Sequence, residues 1–285
     1  MKNTKTYVVI LNWNGEKDTE KCVLSMKKLK AKNFEIVIVD NNSEPKSVNY
    51  LRERFPKIKI IENTKNLGFA GGNNVGIRFA KENRADYAII LNNDTKVKKG
   101  WLKGLLDTVE SDVQIGIVGS KAMFMGSKGV IQTAGIIRKG DYYEDRGFGE
   151  KDEGQFDVEM ELDAVSGVSM LINLSMPEEL IYFDEKFFMY SEDIELCLRV
   201  QKHDYKVMYA PKSVFLHKFS ASSDKVSGLK VYYGLRNKLR VIRKYHSFSE
   251  FTLSYLKGWA RGFLNIFTFD GTLIFNHFKA LLTVK

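Results

Sequence analysis

The sequence predicts an α/β protein, in which helices flank a mostly parallel sheet, followed by a C-terminal helical extension. Over residues 1–95, short apolar runs rich in β-branched residues alternate with segments of helical patterning. Residues 225–285 combine excess positive charge with aromatic residues at helical spacing. The 285 residues suffice for one large domain with an accessory piece, and 44% hydrophobic residues exclude disorder of the whole chain.

Four strands and three helices are predicted in the first part of the chain. The strands cover residues 7–11, 35–40, 57–62 and 87–91. The helices cover residues 16–29, 47–55 and 72–81. Strands that alternate with single helices form parallel sheets with right-handed crossovers, and such sheets bind ligands beyond the carboxyl ends of their strands.

Polar, turn-forming residues follow each of these strands. In chain order the side chains of interest are Asn12 and Asn14, Asp40 and Asn42, Asn66 and Gly71, and Asn92, Asn93 and Asp94. One such cluster would indicate only a turn. Four clusters at the same edge of a sheet predict a site for a polar ligand.

The glycine-rich stretch 66–74 (NLGFAGGNN) permits two interpretations. It lacks the lysine of a P-loop and the glycine spacing of a dinucleotide site. A helix beginning near Gly72 would direct N–H groups at an anion. Alternatively, the stretch is a tight loop capped by asparagine.

Several motifs in order resemble the family-2 glycosyltransferases, and more narrowly the bacterial rhamnosyltransferase-like branch that extends cell-surface polysaccharides. They are VVILNWNG, VDNNS, ENTKNLGFAGGNNVGI, LNND, SGVSMLI, FDEKFFMYSEDIELCLR and a lone His217. The resemblance covers roughly residues 5–220. It implies a GT-A fold, a nucleotide-sugar donor such as dTDP-rhamnose, a divalent metal and inversion at the anomeric carbon, and it is much less specific for the sugar.

The metal implied by this resemblance is Mg²⁺ or Mn²⁺, since a hard cation neutralises the charge that develops on a leaving diphosphate. Asp94 directly follows a predicted buried strand, and His217 resembles the second metal ligand of the family. The family's motif often has two carboxylates around one residue, but here the first position is Asn92. The alternatives are a turn or helix-capping role for Asp94 and a structural role for His217.

The resemblance also assigns a general base and a nucleotide pocket. Asp193 matches the catalytic aspartate, and Glu192 matches a neighbour expected to contact the acceptor or orient the base. From composition alone, the segment would be a helix with an acidic first turn, capped by Ser191. Asp40 and Asn42 match positions that hold the nucleobase and ribose. The same pocket would be lined by Asn12, Asn14, Asn66, Gly71, Asn92 and Asn93.

Members of the family that polymerise sugars carry a Gln-x-x-Arg-Trp motif, and no Arg-Trp pair occurs here. The sequence therefore predicts transfer of a single sugar. We expect residues 116–155, which are rich in glycine, to form a hairpin or mobile loop near the acceptor.

The division predicted from these features is a catalytic domain over residues 1–222 and a helical segment over residues 223–285. The nucleotide-sugar half would cover about 1–95 and the acceptor half about 96–222. Residues 225–285 hold eleven basic and two acidic residues, which accounts for the whole net charge of +9. A neutral domain with a basic tail does not favour nucleic acid, and an anionic membrane surface is the better partner.

Aromatic residues of the tail recur every four positions and share one face of a helix. They are Phe251, Tyr255, Trp259, Phe263 and Phe267, with Lys257 and Arg261 on the opposite face. A basic, aromatic, amphipathic helix is typical of a membrane interface. Packing against the catalytic domain and a homodimer contact are the alternatives.

The leading hypothesis is a peripheral glycosyltransferase that acts on a lipid-linked saccharide. The absence of a long apolar run and of a signal-peptide core, together with only two cysteines, predicts a cytoplasmic protein at the inner face of the cell membrane. Two alternatives remain. One is a soluble glycosyltransferase with a protein or free-saccharide acceptor and a tail that serves as an oligomer contact. The other is a non-catalytic module that binds a saccharide or nucleotide.

Overall fold

The computed structural model describes residues 4–29, 34–218, 228–265 and 271–284. The strands are β1 (Thr6–Asn12), β2 (Phe34–Asp40), β3 (Lys59–Glu62), β4 (Tyr87–Leu91), β5 (Thr95–Val97), β6 (Ile115–Phe124), β7 (Ile131–Thr133), β8 (Ile136–Lys139), β9 (Tyr142–Asp145), β10 (Met160–Glu161), β11 (Ser169–Asn173) and β12 (Lys206–His217). The helices are α1 (Glu16–Lys27), α2 (Pro45–Arg54), α3 (Gly68–Glu82), α4 (Trp101–Val109), α5 (Glu178–Ile181), α6 (Glu192–Gln201), α7 (Leu229–Tyr245), α8 (Phe248–Asn265) and α9 (Gly271–Leu282).

The main sheet has the strand order β10-β12-β6-β11-β4-β1-β2-β3, with β5 beside β12 and β7 beside β6. Strands β1 to β4 are mutually parallel where they pair, as the sequence predicts. Strand β12 is parallel to β6, whereas β11 runs antiparallel to both of its neighbours. The sheet is therefore mixed, and β8 and β9 form a separate hairpin.

Both faces of the sheet are covered, because alternate residues of each central strand point to opposite sides. Val8 and Ile10 of β1 pack with α1, α2 and α4, and Tyr7 and Val9 pack with α3, α5 and α6. Gly76 of α3 lies directly on Val9, since a Cβ there would stand 2.2 Å from a Val9 methyl group. This three-layer arrangement fixes the strand ends at which the functional residues lie.

The loop predicted over residues 116–155 is wrong in its first part. Residues 115–124 form the long strand β6 at the centre of the sheet, and only β8 and β9 form the expected hairpin. A strand buried on both faces gives no alternation of polar and apolar residues, and its glycines resemble loop residues. Gly119 is required there, because a Cβ would lie 2.3 Å from Cβ of Val165.

The helical extension predicted at the C-terminus is present, and it packs on the catalytic domain beside α6. Lys244 and Tyr245 of α7 donate hydrogen bonds of 2.5 and 2.8 Å to the fully buried carboxylate of Glu195. In α8, Ser254 donates a 2.5 Å hydrogen bond to Asp141 of the β8–β9 turn. At least one basic group of the tail, Lys244, is thus committed to a contact within the protein.

The aromatic stripe of the tail packs inward against α9. Trp259 and Phe263 contact the ring of Phe278, with centroids 5.4 and 5.7 Å apart, whereas Phe267 lies outside the described residues. The outer face of α8 carries Leu253, Leu256 and Leu264, all more than half exposed, and Phe263 at the border of the two faces is 56% exposed although one side of its ring contacts Phe278. Within the described ranges, no helix has both the length and the hydropathy needed to span a bilayer.

Candidate active site

The carboxyl ends of β1, β2, β4 and β12 and the beginning of β11 meet at one edge of the sheet. The register places Asn12 beside Asp40 and His217 beside Thr95. Because β11 is antiparallel to β4, its first residue Ser169 pairs with Leu91, the last residue of β4. The predicted polar clusters therefore converge, as expected for a ligand site.

Asn12 and Asp40 lie at this edge, but the protein itself engages their polar atoms. Asn12 is fully buried, donates a 2.8 Å hydrogen bond to Asp40 Oδ2 and accepts one of 2.8 Å from Thr19. The other Asp40 oxygen accepts from the backbone N–H of Ser43. In this structure the two residues hold the strand-end loops together rather than present free groups to a nucleotide.

Asn41, which sequence reasoning missed, organises the glycine-rich loop. Its Nδ2 donates to Asn66 Oδ1 and to the Gly68 carbonyl at 2.9 and 3.0 Å, and its Oδ1 accepts from the Leu67 N–H. Asn66 in turn accepts from the N–H of Gly68. Asn66 thus belongs to the same internal network as Asn41.

Helix α3 begins at Gly68 rather than near Gly72, so the predicted start of this helix is wrong. The N–H of Ala70 in its first turn donates to the Phe188 carbonyl. Gly71 serves packing, since a Cβ would lie 2.9 Å from Leu67 Cβ. The loop is the tight, asparagine-capped alternative.

Four of the predicted pocket residues keep solvent access at this edge, in addition to half-buried Asn66, whose Oδ1 already accepts hydrogen bonds from Asn41 and Gly68. Asn42 is exposed and has a left-handed backbone (φ 65°), and Asn14 accepts from the N–H of Glu44. Asn92 and Asn93 are half-buried, and Asn93 Nδ2 donates to Thr19. These four side chains are better placed to meet a ligand than Asn12, Asp40 and Asn66.

The structure brings Asp94 and His217 together, although 122 residues separate them in the sequence. His217 Nε2 lies 3.1 Å from Asp94 Oδ1, and both side chains are buried. The other ring nitrogen, Nδ1, lies 2.8 Å from Oε1 of Gln132 in β7, which accepts its proton. Sequence reasoning missed Gln132, which directs Nε2 of the imidazole toward Asp94.

Glu192 and Asp193 open α6, and Glu192 is buried whereas Asp193 is half-buried. Asp193 accepts backbone hydrogen bonds of 2.9 Å from Gly167 and Ile194; burial raises its pKa, and these donors oppose the shift. Burial, with the Asp193 charge in addition, raises the pKa of Glu192 well above its ordinary value. Among the described residues Glu192 Oε2 has no hydrogen-bond partner. Buried, imperfectly satisfied carboxyl groups are typical of functional sites.

A third carboxylate, Asp145 of β9, was also missed from the sequence. The surrounding protein displaces solvent from Asp145 and, together with the charge of Asp193, raises the pKa of Asp145 to about 6. Part of the Asp145 side chain nevertheless remains exposed. Thr133 donates a hydrogen bond that opposes this shift. The β8–β9 hairpin therefore brings an ionisable group into the electrostatic environment of the Glu192–Asp193 pair.

A family comparison identifies the first part of the chain. The family model described as "Glycosyl transferase family 2" matches residues 7–159, more than half of the chain. The chain belongs to this family. The matched region contains β1 to β4, whose ends carry Asn12, Asp40 and Asp94.

Characterised relatives of this family-2 glycosyltransferase are distant but extend over most of the chain. The low-salt glycan biosynthesis hexosyltransferase Agl10 of Haloferax volcanii is 24% identical over 233 residues, covering 81% of this chain and 73% of that protein. The dTDP-rhamnosyl transferase RfbF of Shigella flexneri is 25% identical over 255 residues, covering 86% and 82%. An N-acetylglucosaminyl-diphospho-decaprenol L-rhamnosyltransferase of Mycobacterium tuberculosis is 22% identical over 231 residues, covering 74% and 75%.

Solved structures confirm the GT-A fold class predicted from the sequence. GalNAc-T7 with UDP, GalNAc and Mn²⁺ has a TM-score of 0.67 at 18% identity over 84% of this chain. This chain spans only about half of it, 48%. The mannosyltransferase PcManGT of Pyrobaculum calidifontis, with GDP-Man and Mn²⁺, has a TM-score of 0.61 at 10% identity and covers 98% of this chain and 86% of its own.

The donor set of the glycosyltransferase fits a divalent metal. Asp94 supplies a carboxylate oxygen, and Gln132 holds His217 so that Nε2 faces that carboxylate. No cluster of three or more His, Cys, Asp or Glu within the described ranges could bind a metal. The protein would thus supply two ligands and leave the remaining positions for phosphate and water, as is common for Mg²⁺.

Proposed function

We propose that this family-2 glycosyltransferase moves one sugar from a nucleotide-sugar donor to a hydroxyl of a saccharide, with inversion, in cell-surface polysaccharide synthesis. The observation that carries the proposal is the Glu192–Asp193 pair, both with a raised pKa, at the same sheet edge as the Asp94–His217 pair. Relatives named rhamnosyltransferases make dTDP-rhamnose the first donor to test. A non-catalytic module would not need both pairs.

In the proposed reaction Asp193 is the general base. Its carboxylate takes the proton of the acceptor hydroxyl while that oxygen forms a bond to the anomeric carbon. The bond from the anomeric carbon to the diphosphate oxygen breaks, and its electron pair leaves with the nucleoside diphosphate. Attack from the face opposite the leaving group inverts the configuration. A carboxylate whose pKa is raised by burial is a stronger base for this transfer.

Glu192 and Asp145 would assist on the acceptor side. Both lie in the electrostatic environment of Asp193, and the pKa of each is raised, chiefly by burial. A carboxyl group kept protonated can donate a hydrogen bond to an acceptor oxygen. We therefore assign Glu192 to acceptor contact or orientation of the base.

Asp94 and His217 would hold Mg²⁺ or Mn²⁺ against the donor diphosphate. The bound metal would stabilise the negative charge that develops on the leaving group. Gln132 keeps the His217 ring oriented, and the single carboxylate predicts that metal binds mainly together with the nucleotide. Two of the similar structures were solved with Mn²⁺, which supports this assignment.

The nucleotide-sugar half, about residues 1–95, would contact the donor through Asn14, Asn42, Asn92 and Asn93. Asn12, Asp40 and Asn66 would shape the pocket through their internal hydrogen bonds, and Gly71 through close packing. The acceptor half, about 96–222, would contain the Glu192–Asp193 pair, and the described residues 228–265 and 271–284 belong to the helical extension.

The acceptor is proposed to be lipid-linked, with the enzyme on the inner face of the cell membrane. A relative named for a diphospho-decaprenol substrate supports the lipid. The outer face of α8, formed by Leu253, Leu256 and Leu264, is bordered by Lys257 and Arg261 and suits an anionic interface. A homodimer contact through the same face, on a glycosyltransferase with a soluble acceptor, is the alternative that these exposed leucines also favour.

A second basic surface, on the catalytic domain, also suits an anionic membrane. A groove of about 920 Å³ between α1, β5 and α4 has an apolar floor that includes Leu24 and Leu102. Its rim carries Lys21, Lys28, Lys96, Lys98, Lys99 and Lys103. The tail remains the proposed membrane contact, because it combines basic residues with exposed apolar side chains.

The proposed function is tested by a screen of dTDP-, UDP- and GDP-sugars with lipid-linked saccharides and with the matching free saccharides. Release of nucleoside diphosphate that depends on both one donor and an acceptor is the expected result. A strong preference for the lipid-linked form supports the membrane assignment. Failure of every donor to bind or react would contradict the proposal.

A further inference from the structure

The segment that presents Glu192 and Asp193 has an unfavourable backbone. We name residues 187–191 the carboxylate loop. Within it Phe188, Tyr190 and Ser191 have positive φ angles of 64°, 70° and 64°, in the left-handed region that side chains disfavour. Ser191 precedes α6, yet its side chain makes no capping hydrogen bond, contrary to the sequence prediction. Other parts of the protein must therefore hold this loop.

Asn237 of α7 supplies the most direct support. Its side chain is 0% exposed, and Nδ2 lies 2.8, 2.8 and 2.9 Å from the carbonyl oxygens of Phe187, Met189 and Tyr190. Its Oδ1 accepts a 2.9 Å hydrogen bond from Nε of Arg236, which sets the orientation of the amide. One buried amide thus engages three carbonyls of the five-residue carboxylate loop.

Arg236 and its neighbours make further contacts with the carboxylate loop. Arg236 is 8% exposed and donates from Nη2 to the carbonyl oxygens of Lys186 and Phe187 at 2.9 and 3.2 Å. Its guanidinium lies 4.7 Å from the centre of the Tyr233 ring, and that ring stacks on Phe188 with centroids 5.1 Å apart. Arg236 is one of the basic residues of the tail, and its guanidinium therefore binds the carboxylate loop within the protein.

We propose that Asn237 and Arg236 are positioning residues of the transfer reaction and that α7 belongs to the catalytic apparatus. They act through the carboxylate loop, whose unfavourable backbone sets the direction from which α6 begins and so places Asp193. The inference rests on the proposed role of Asp193 as the base. It assigns to the first helix of the C-terminal extension a function separate from membrane contact.

The first test is Asn237→Asp, which keeps the shape of the side chain but places carboxylate oxygens against the loop carbonyls. We expect kcat to fall about 100-fold, as a displaced catalytic group can cause. Metal-dependent nucleotide affinity should stay within about threefold, because the donor half is untouched. Asn276→Asp in α9 is the matched control, since Asn276 donates to the Thr272 carbonyl within its own helix, and its kcat should not change.

A rescue experiment separates positioning from stability. Ser191→Gly should relieve the backbone strain at this position, since glycine accepts a φ of 64° without strain, and its own kcat is the reference for the double variant. Combined with Asn237→Asp, it should restore part of the lost kcat. If kcat returns to the wild-type value together with Tm, the loss was one of stability and Asn237 is only structural. If Asn237→Asp does not fold, Arg236→Lys, which keeps the charge and loses the planar donor pair, should still lower kcat about tenfold.

Hydrogen exchange gives a readout that needs no substrate. Amides of residues 188–193 should exchange faster in Asn237→Asp than in the wild type, and unchanged exchange would overturn the proposal. Wild-type kcat in folded Asn237→Asp, beside an inactive Asp193→Asn, would overturn this inference alone. Wild-type turnover in Asp193→Asn would instead overturn the proposed base.

Discussion

Asp193 Oδ2 accepts a 2.9 Å hydrogen bond from the backbone N–H of Gly167, which joins the first turn of α6 to the start of β11. Gly167 is enclosed on this side, because a Cβ would lie 3.1 Å from the Phe69 ring and 3.4 Å from Asp193 Cβ. The proposed base is therefore held by the edge of the central sheet as well as by the carboxylate loop. Its position relative to the donor end of the sheet depends on both supports.

Gly167→Ala should lower kcat about tenfold, since the added methyl group must displace the Phe69 ring or the Asp193 side chain by a few tenths of an ångström. Steady-state kinetics beside thermal melting measures the effect. Gly234→Ala is the matched control, because a Cβ at this helical position meets nothing within 4 Å. That control should be neutral or slightly stabilising, and wild-type kcat in Gly167→Ala would contradict the close fit.

Asp94→Ala and His217→Ala should each weaken metal-dependent nucleotide binding, because the proposed site has only these two protein ligands. Calorimetric titration of nucleotide with Mn²⁺ or Mg²⁺, and again with a chelator, measures the loss. In chelator the wild type should fall to the affinity of the variants. Full transferase activity in excess chelator would show that no dissociable metal is used.

Gln132→Leu should lower the metal affinity about 10- to 100-fold while leaving both ligands in place, as loss of a group that orients a histidine ligand does. The reason is the 2.8 Å contact of Gln132 Oε1 with His217 Nδ1. The same titration, compared with His217→Ala, tests it. Equal affinities of Gln132→Leu and wild type would mean that the ring needs no such support.

Glu192→Gln should stabilise the protein, and more so at high pH. The folded-state pKa of Glu192 is raised by burial and by Asp193, so the protonated form is favoured in the fold. That contribution is fully present below the unfolded pKa and is lost as the pH rises through the folded pKa. Each unit of the raised pKa costs about 1.4 kcal/mol once the group is ionised. Melting from pH 5 to pH 8 should show a growing advantage of Glu192→Gln, and a constant difference would contradict a buried ionising group.

Membrane binding should depend on the outer face of α8. Combined Leu253→Ser, Leu256→Ser and Leu264→Ser should abolish the salt-resistant part of binding to anionic vesicles, since apolar insertion is not screened. Lys257→Glu with Arg261→Glu should remove about 1 kcal/mol per basic residue at low salt. Vesicle flotation at two salt concentrations measures both.

The matched control replaces lysines of the groove: Lys28→Glu, Lys96→Glu and Lys99→Glu should leave flotation unchanged. Loss of flotation in this control would move the membrane contact to the catalytic domain. The exposed leucines form a dimer interface if the wild type does not bind anionic vesicles and if the oligomeric mass changes in the leucine variant but not in the charge variants.

The donor half of the fold could be predicted because its signals are local. Each of β1 to β4 is an apolar run followed directly by turn-forming residues, and α1 to α3 lie between them. Strand β6 was missed because its polar member, Lys121, is buried and paired with Asp152, 31 residues away, at 3.2 Å. Such a pair leaves no pattern within a short window of sequence.

The candidate site could be located from the sequence, but the roles of its individual residues could not be assigned. The resemblance brought Asp94, His217 and Asp193 forward, and the structure places Asp94 beside His217. The resemblance could not reveal that Asn12 is fully hydrogen-bonded within the protein or that Asn237 binds a loop about fifty residues away. Whether a polar atom is satisfied depends on tertiary neighbours, which residue type and spacing do not encode.

The most direct test of the account is single-turnover transfer by Asp193→Asn, with nucleotide binding measured on the same protein. The amide keeps the size of the carboxylate but cannot take the acceptor proton. We therefore predict a loss of about 10²- to 10⁴-fold in transfer rate, with metal-dependent nucleotide affinity within a few-fold of the wild type. Transfer by Asp193→Asn at the wild-type rate would contradict the assignment of Asp193 as the general base.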